Sequence, residues 1–197
     1  MKVIKVGITG GIGSGKSVVA RILRVLGYKV YDCDKSAAGI LLSDMSVRAA
    51  LVDLLGDDIY LHDGRLNKAK MSGMLFNSPS VRADVNAIVH PAVIADFIRW
   101  AEMHSADRLL FVESAILAES GLISAVDKSI MVSAPRPERR ERVASRDNIS
   151  VAQADERIAS QMPDEDKCRL CDFVISNAAG DRLLPQIREV IGSLLQD

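Results

Sequence analysis

Apolar residues along the chain fall into two rhythms, short unbroken runs and longer stretches at helical spacing, and the two alternate from one end to the other. The first run, Val3-Ile4-Lys5-Val6-Gly7-Ile8-Thr9, is β-branched and predicts a strand that stops at a glycine-rich segment. Helical spacing follows through Val18, Val19, Ile22, Leu23, Val25 and Leu26, with Gly27 where a C-terminal cap glycine belongs. Lys29-Val30-Tyr31 predicts a second strand running into Asp32-Cys33-Asp34. From there to His104 no central strand is evident, and the pattern predicts helices over 36–55, 67–76 and 79–104, with a turn at Asp63-Gly64. Asp53-Leu54-Leu55-Gly56 reads as the end of the first of these helices. Leu109-Leu110-Phe111-Val112 has the character of a strand buried on both faces, and it ends in Glu113. Ser129–Ser133 predicts the next strand, Pro135-Arg136-Pro137-Glu138 starts an arginine-rich helix, and Ser150 caps a helix running through Gln161. A strand over Asp172-Phe173-Val174-Ile175 and an amphipathic helix over 181–195 close the pattern.

Strands alternating with helices predict an α/β fold built on a doubly wound, five-stranded parallel sheet flanked by helices. Such sheets bind ligands beyond the carboxyl ends of their strands. Gly10–Ser17, Asp32 and Asp34, Glu113 and the residues after Ser133 all fall at those ends.

The segment that stops the first strand changes the picture most. Gly10-Gly11-Ile12-Gly13-Ser14-Gly15-Lys16-Ser17 fits G-x-x-x-x-G-K-[ST] between a strand and a helix, the context of a phosphate-binding loop. Glycines let backbone N–H groups turn around an anion, the helix start adds its positive dipole end, and Lys16 brings a mobile charge for β- and γ-phosphates. Ser17 offers a hydroxyl for Mg²⁺.

Composition narrows the alternatives. A net charge of −1 lacks the basic excess of a protein held on nucleic acid by bulk electrostatics. No apolar stretch reaches the length of a membrane span, and the opening residues lack the pattern of a secretory signal, so the cytosol is the expected compartment. Three cysteines form no disulfide framework, and the Cys168-x-x-Cys171 pair lacks two further ligands at zinc-site spacing, which favours packing over metal binding.

A phosphate loop is compatible with a switch, a motor or a small-molecule kinase. Asn67-Lys68-Ala69-Lys70 lacks the aspartate of a guanine-reading motif, which removes support for a switch. Phosphoryl transfer to a hydroxyl needs an anion that orients the acceptor and takes its proton late in the reaction. Asp34 is the candidate, with Asp32 as its rival or as a group that organises Mg²⁺ through water. Arg142 and Arg146, four apart on one helical face, are candidates for clamping the transferring phosphoryl group. Arg136, Arg139 and Arg140 read as a solvated basic face.

Together these segments resemble the dephospho-coenzyme A kinases, a family similar in fold to nucleoside monophosphate kinases, and the resemblance runs nearly end to end. It rests on Val6–Ser17, Leu26-Gly27, Val30-Tyr31-Asp32-Cys33-Asp34, Asp63-Gly64-Arg65-Leu66-Asn67, Phe76, Pro79, Asn86 and Val89-His90-Pro91. Arg142, Arg146-Asp147, Gln161-Met162-Pro163, Asp166-Lys167 and Asp172-Phe173-Val174-Ile175 with Asn177 complete it. The sequence departs from the family at Val18, where threonine is usual, at Lys68, where arginine is common, and over Glu113-Ser114-Ala115.

The resemblance implies an ATP- and Mg²⁺-dependent kinase that phosphorylates the ribose 3′-hydroxyl of dephospho-coenzyme A, the last step of coenzyme A synthesis. Other small hydroxyl acceptors, of nucleoside monophosphate or shikimate type, are the alternative, and a non-catalytic ATP sensor is a further one. The resemblance implies a nucleotide core over 1–35, 106–136 and 170–197, a helical acceptor-binding insertion over 36–105 and a lid over 137–169. Asp34, Lys16, Arg142 and Arg146 are the catalytic candidates. ATP falls to Gly10, Gly11, Ile12, Gly13, Ser14, Gly15, Lys16, Ser17, Val18 and Asn177, and the acceptor to Asp32, Asp34, His90 and Glu119. The partners expected are the two substrates, with no nucleic acid or membrane, and a monomer is the expected state.

Overall fold

The computed structural model describes residues 3–196. The chain folds as two compact units, one of residues 3–31 and 101–196, the other Asp32–Trp100.

Strands β1 (Ile4–Thr9), β2 (Lys29–Asp32, its last residue opening the second unit), β3 (Leu109–Glu113), β4 (Lys128–Ser133) and β5 (Phe173–Ser176) form one parallel sheet in the order β2-β3-β1-β4-β5. Val6 stands opposite Phe111, and Ile8 opposite Ile130. Both faces are covered, which is why the strands read as unbroken apolar runs. Helix α1 (Lys16–Val25) contributes Val19 and Leu23 to a core with Val6, Ile8, Phe111, Ile130, Val132 and Ile175. The last helix of the chain, Leu183–Leu194, adds Ile187, Val190, Ile191 and Leu194. Strand β1 lies at the centre, where the winding direction reverses, so the loop that follows it opens at the point where such sheets bind ligands.

The second unit is helical, as the lack of a strand pattern predicts, with one difference. The periodicity over 36–55 predicts a single helix, but two form, α2 (Cys33–Ser43) and α3 (Met45–Leu55). Asp44 breaks them: its carboxylate accepts the N–H groups of Ser46 and Val47 at 3.0 and 3.1 Å while its own backbone is extended. A short acidic side chain satisfies the orphan donors of a new helix better than it fits a helix interior. Gly56, with φ +93°, ends α3, so Asp53-Leu54-Leu55-Gly56 is a helix end. Tyr60 and Leu66 form an isolated antiparallel bridge around the turn at Asp63-Gly64. Arg48 stitches this corner: it donates to the carbonyls of Leu42 and Gly64 and lies 3.9 Å from the centre of the Tyr60 ring. Helices α4 (Lys68–Asn77) and α5 (Pro79–Met103) follow, and Asn67 caps α4 through the Lys70 N–H at 3.2 Å.

After β4 the chain forms α6 (Arg136–Asp147), α7 (Val151–Ala159) and α8 (Asp164–Arg169), followed by β5 and the last helix, α9. Helix α8 has no counterpart in the apolar pattern because its faces carry charge. Among the described residues no helix is long and apolar enough to cross a membrane.

Candidate active site

Residues 10–17 leave β1 as a loop whose peptides are turned by three side-chain anchors, two from α6 and one from the residue after β5. Arg139 Nε donates to the Ile12 carbonyl at 2.9 Å, Arg142 Nη1 reaches the Gly13 carbonyl at 3.4 Å, and Asn177 Nδ2 donates to the Ser14 carbonyl at 2.7 Å. In a planar trans peptide the carbonyl and the following N–H point in opposite directions. Anchoring these three oxygens therefore aims the N–H groups of Gly13 and Gly15 to the face away from the anchors, while the Ser14 N–H closes the loop onto the Gly11 carbonyl at 3.0 Å. The first turn of α1, which begins at Lys16, adds N–H donors that no helix can satisfy internally. The result is a nest of donors at a helix start, suited to a polyphosphate.

Gly15 shows why the motif needs glycine. Its φ is +97°, and a Cβ there would overlap the amide nitrogen of Asn177. Thr9, at the end of β1, and Ser14 in the loop bury hydroxyls that take no hydrogen bond among the described residues. Lys16 is half-buried, whereas Ser17 and Val18 are exposed in the first turn of α1.

Asn177, expected at the nucleotide, grips the loop through its side chain, and its own carbonyl accepts Arg142 Nη2 at 2.9 Å. Arg142 also pairs with Glu138 at 2.7 Å. Arg146, expected on the same face, points elsewhere: its Nε and Nη2 hold the Asp147 carboxylate at 2.7 and 3.1 Å, and Arg157 reaches the same carboxylate at 2.5 Å. The hydrogen bond from Arg146 holds the Asp147 carboxyl below the usual carboxylate range and raises the Arg146 guanidinium.

Arg139, expected on a solvated basic face, is instead buried: it is 3% exposed, paired with Asp164 at the start of α8 and bonded to the loop. Burial, with Arg136 nearby, pulls its guanidinium below the usual arginine value. Val143, the buried apolar residue one turn along α6, was the available signal that this face points inward.

Glu119 is held in the first unit by Lys167, whose ammonium lies 2.9 Å from Glu119 Oε1 and 2.7 Å from the Ala115 carbonyl. Cys168 and Cys171 are partly buried, and burial pushes the Cys171 thiol up.

In the second unit Asp32 is the N-terminal cap of α2, accepting the Lys35 N–H at 3.0 Å. Asp34 sits in the first turn of α2, exposed and without a protein partner among the described residues. A carboxylate there is favoured by the helix dipole and open to an acceptor hydroxyl. His90 is half-buried in α5, and burial lowers its pKa.

Known proteins resemble this chain along nearly its whole length. A family profile described as dephospho-CoA kinase matches residues 4–182. A dephospho-CoA kinase of Bacteroides fragilis is 44% identical over 193 residues, covering 98% of this chain and 94% of its own. Among solved structures, TT1252 of Thermus thermophilus is 30% identical with a TM-score of 0.81, covering 100% of this chain and 98% of its own. A dephospho-CoA kinase from Campylobacter jejuni, 23% identical, shares the fold with a TM-score of 0.68 over 98% of this chain and 95% of its own. With the loop, the parallel sheet and a family match over most of its length, the chain belongs to the dephospho-CoA kinase family.

Proposed function

We propose that this chain transfers the γ-phosphoryl group of ATP to the ribose 3′-hydroxyl of dephospho-coenzyme A, giving coenzyme A and ADP. The anchored loop over residues 10–17 is the observation that carries the reading, since its N–H groups and Lys16 match the β- and γ-phosphates of a nucleotide. In the reaction the hydroxyl oxygen forms a bond to the γ-phosphorus, the bond from that phosphorus to the β,γ-bridging oxygen breaks, and ADP leaves. Asp34 orients the hydroxyl and takes its proton as the new bond nears completion. Arg142, which holds the Gly13 carbonyl on the side of the loop opposite its donors, would have to release that carbonyl to offer its guanidinium to charge on the transferring group, and Arg146 is the second candidate for that clamp.

Magnesium fits the residues present. This ion keeps several waters and takes few protein ligands beside substrate phosphates. Ser17 supplies one exposed hydroxyl at the helix start, and no group of three or more His, Cys, Asp or Glu among the described residues forms a protein cage. Bound with ATP, it neutralises charge on the β- and γ-oxygens.

We read residues 36–105 as the acceptor-binding insertion, with His90 in the acceptor's pocket and Glu119 as a further acceptor residue from the core, and residues 137–169 as the lid. Closure over ATP would keep water from the γ-phosphate so that the acceptor hydroxyl reacts in its place.

The test is steady-state ADP release from magnesium-ATP with and without dephospho-coenzyme A. Strong stimulation, with one phosphate gained by the acceptor in mass spectrometry, is the expected result. A folded, ATP-binding protein that shows no stimulation overturns the acceptor assignment and directs the search to other small hydroxyl compounds.

A further inference from the structure

Ile12 is the third residue of the phosphate loop, and both polar groups of its backbone are committed to side chains from far along the chain. Its N–H donates to Gln161 Oε1 at 2.7 Å, and its carbonyl accepts Arg139 Nε at 2.9 Å. Most of a phosphate loop is turned by its own glycines. Here two side chains, 149 and 127 residues away, fix one residue from both ends.

The grip is itself braced. Arg139 is 3% exposed, and Asp164 pairs with its Nη1 from the first residue of α8. A Cβ at Gly11 would overlap the Arg139 guanidinium, so the arginine packs directly on the loop. Gln161, three residues before Asp164, approaches from the connection between α7 and α8. The same segment lines a cavity of about 420 Å³ with Arg136, Arg139, Gln161, Met162, Asp164 and Glu165, so Gln161 is held at the edge of open space, free of a packed interior.

We propose that Gln161, acting with Arg139, is a positioning residue that sets the Ile12 peptides and through them the donors of the nucleotide site. The physical basis is peptide geometry. With the Ile12 carbonyl on Arg139, the Gly13 N–H faces away from it, and with the Ile12 N–H on Gln161, the Gly11 carbonyl is turned to the opposite side, where it accepts the Ser14 N–H. Releasing Gln161 frees the Gly11–Ile12 peptide to rotate, which loosens the Gly11 to Ser14 closure and leaves Arg139 as the one remaining hold on Ile12, so the loop presents its donors less firmly. Gln161 touches neither reacting atom in this account. It acts on affinity for the triphosphate by holding the loop preorganised.

This inference rests on the reading that the loop binds ATP, and the experiment separates the two. Gln161→Leu keeps the volume and removes the acceptor oxygen, and Gln161→Glu restores an oxygen at the same reach. Calorimetric affinity for a non-hydrolysable ATP analogue is measured for the wild type and both variants, with exchange of the Ile12 amide and the thermal midpoint alongside. Wild-type protein that fails to bind the analogue defeats the ATP reading itself. Given wild-type binding, the expected result is affinity weakened about tenfold in Gln161→Leu, faster Ile12 amide exchange, an unchanged thermal midpoint, and recovery of most of the affinity in Gln161→Glu. Unchanged affinity in Gln161→Leu overturns the proposal, as does a Gln161→Glu variant as weak as Gln161→Leu, or a loss of affinity that follows a fall in the thermal midpoint.

Discussion

Lys167, 1% exposed, places its ammonium 2.9 Å from Glu119 Oε1 and so ties α8 to the segment that follows β3. The same ammonium donates to the Ala115 carbonyl at 2.7 Å. Removing the lysine leaves a carboxylate and a carbonyl facing an apolar gap, although the Glu119 side chain, 24% exposed, keeps some access to water. Lys167→Met is therefore expected to cost about 2–3 kcal/mol in urea unfolding, below the range for a fully buried pair. Lys167→Met combined with Glu119→Leu should recover part of that loss, because no unpaired charge remains. A double variant no more stable than the single one would show that the carboxylate was never the source of the cost.

Asp32 and Asp34 are separated by their backbone roles. Asp32 caps α2 through the Lys35 N–H, and asparagine caps helices as well as aspartate does. Asp32→Asn should leave stability near wild type and lower turnover far less than a change at Asp34. Asp34→Asn removes the anion proposed to orient and deprotonate the acceptor, and kcat should fall by roughly 10²–10⁴ while ATP affinity is kept. If the losses are reversed between the two variants, measured as kcat with dephospho-coenzyme A, the proton acceptor is Asp32.

The loop and the sheet are legible in the sequence because glycine spacing and unbroken apolar runs are local signals with one physical meaning each. Residues that act through distant partners are not. Nothing near Arg139 announces that its guanidinium meets Ile12, 127 residues away, and an arginine-rich helix reads as solvated until its one buried apolar neighbour, Val143, fixes the inward face. Helix α8 escapes an apolar pattern because its buried anchor is a lysine, yet Pro163 followed by Asp164-Glu165-Asp166 and then Lys167 and Arg169 is a helix start and finish written in charge. Asp44 is the reverse case: periodicity continues across it, and only the competition of its carboxylate for the N–H groups of Ser46 and Val47 divides the helix.

Gly15 and Gly27 share a positive φ, +97° and +91°, but differ in surroundings. Nothing lies within 4 Å of a Cβ placed on Gly27, whereas one on Gly15 would displace Asn177 and with it the anchor on the Ser14 carbonyl. Gly27→Ala should thus cost only the backbone strain, about 1–2 kcal/mol of stability, with ATP affinity intact. Gly15→Ala should weaken ATP binding by roughly a hundredfold or more, since strain and the lost anchor fall on the site itself. Calorimetric titration of both variants with an ATP analogue checks the contrast, and equal affinities would mean that the Asn177 anchor has no part in nucleotide binding.

His90 gives the fold a pH dependence whose sign follows from burial. Its half-buried imidazole is held below the usual value of 6.5 because the surroundings disfavour the charged form. Below pH 6.5 the unfolded chain takes up a proton that the folded chain resists, so this residue's contribution to stability is lost as the pH falls from 6.5 toward the folded value. Once both states are protonated, further acid has no added effect through this group. Urea midpoints measured from about pH 7.5 down to about 5.5 should decline in the wild type and decline less in His90→Gln, which carries no titrating ring. Identical slopes in the two proteins would show that His90 meets water freely in the folded state, and that its place in α5 imposes no cost on protonation.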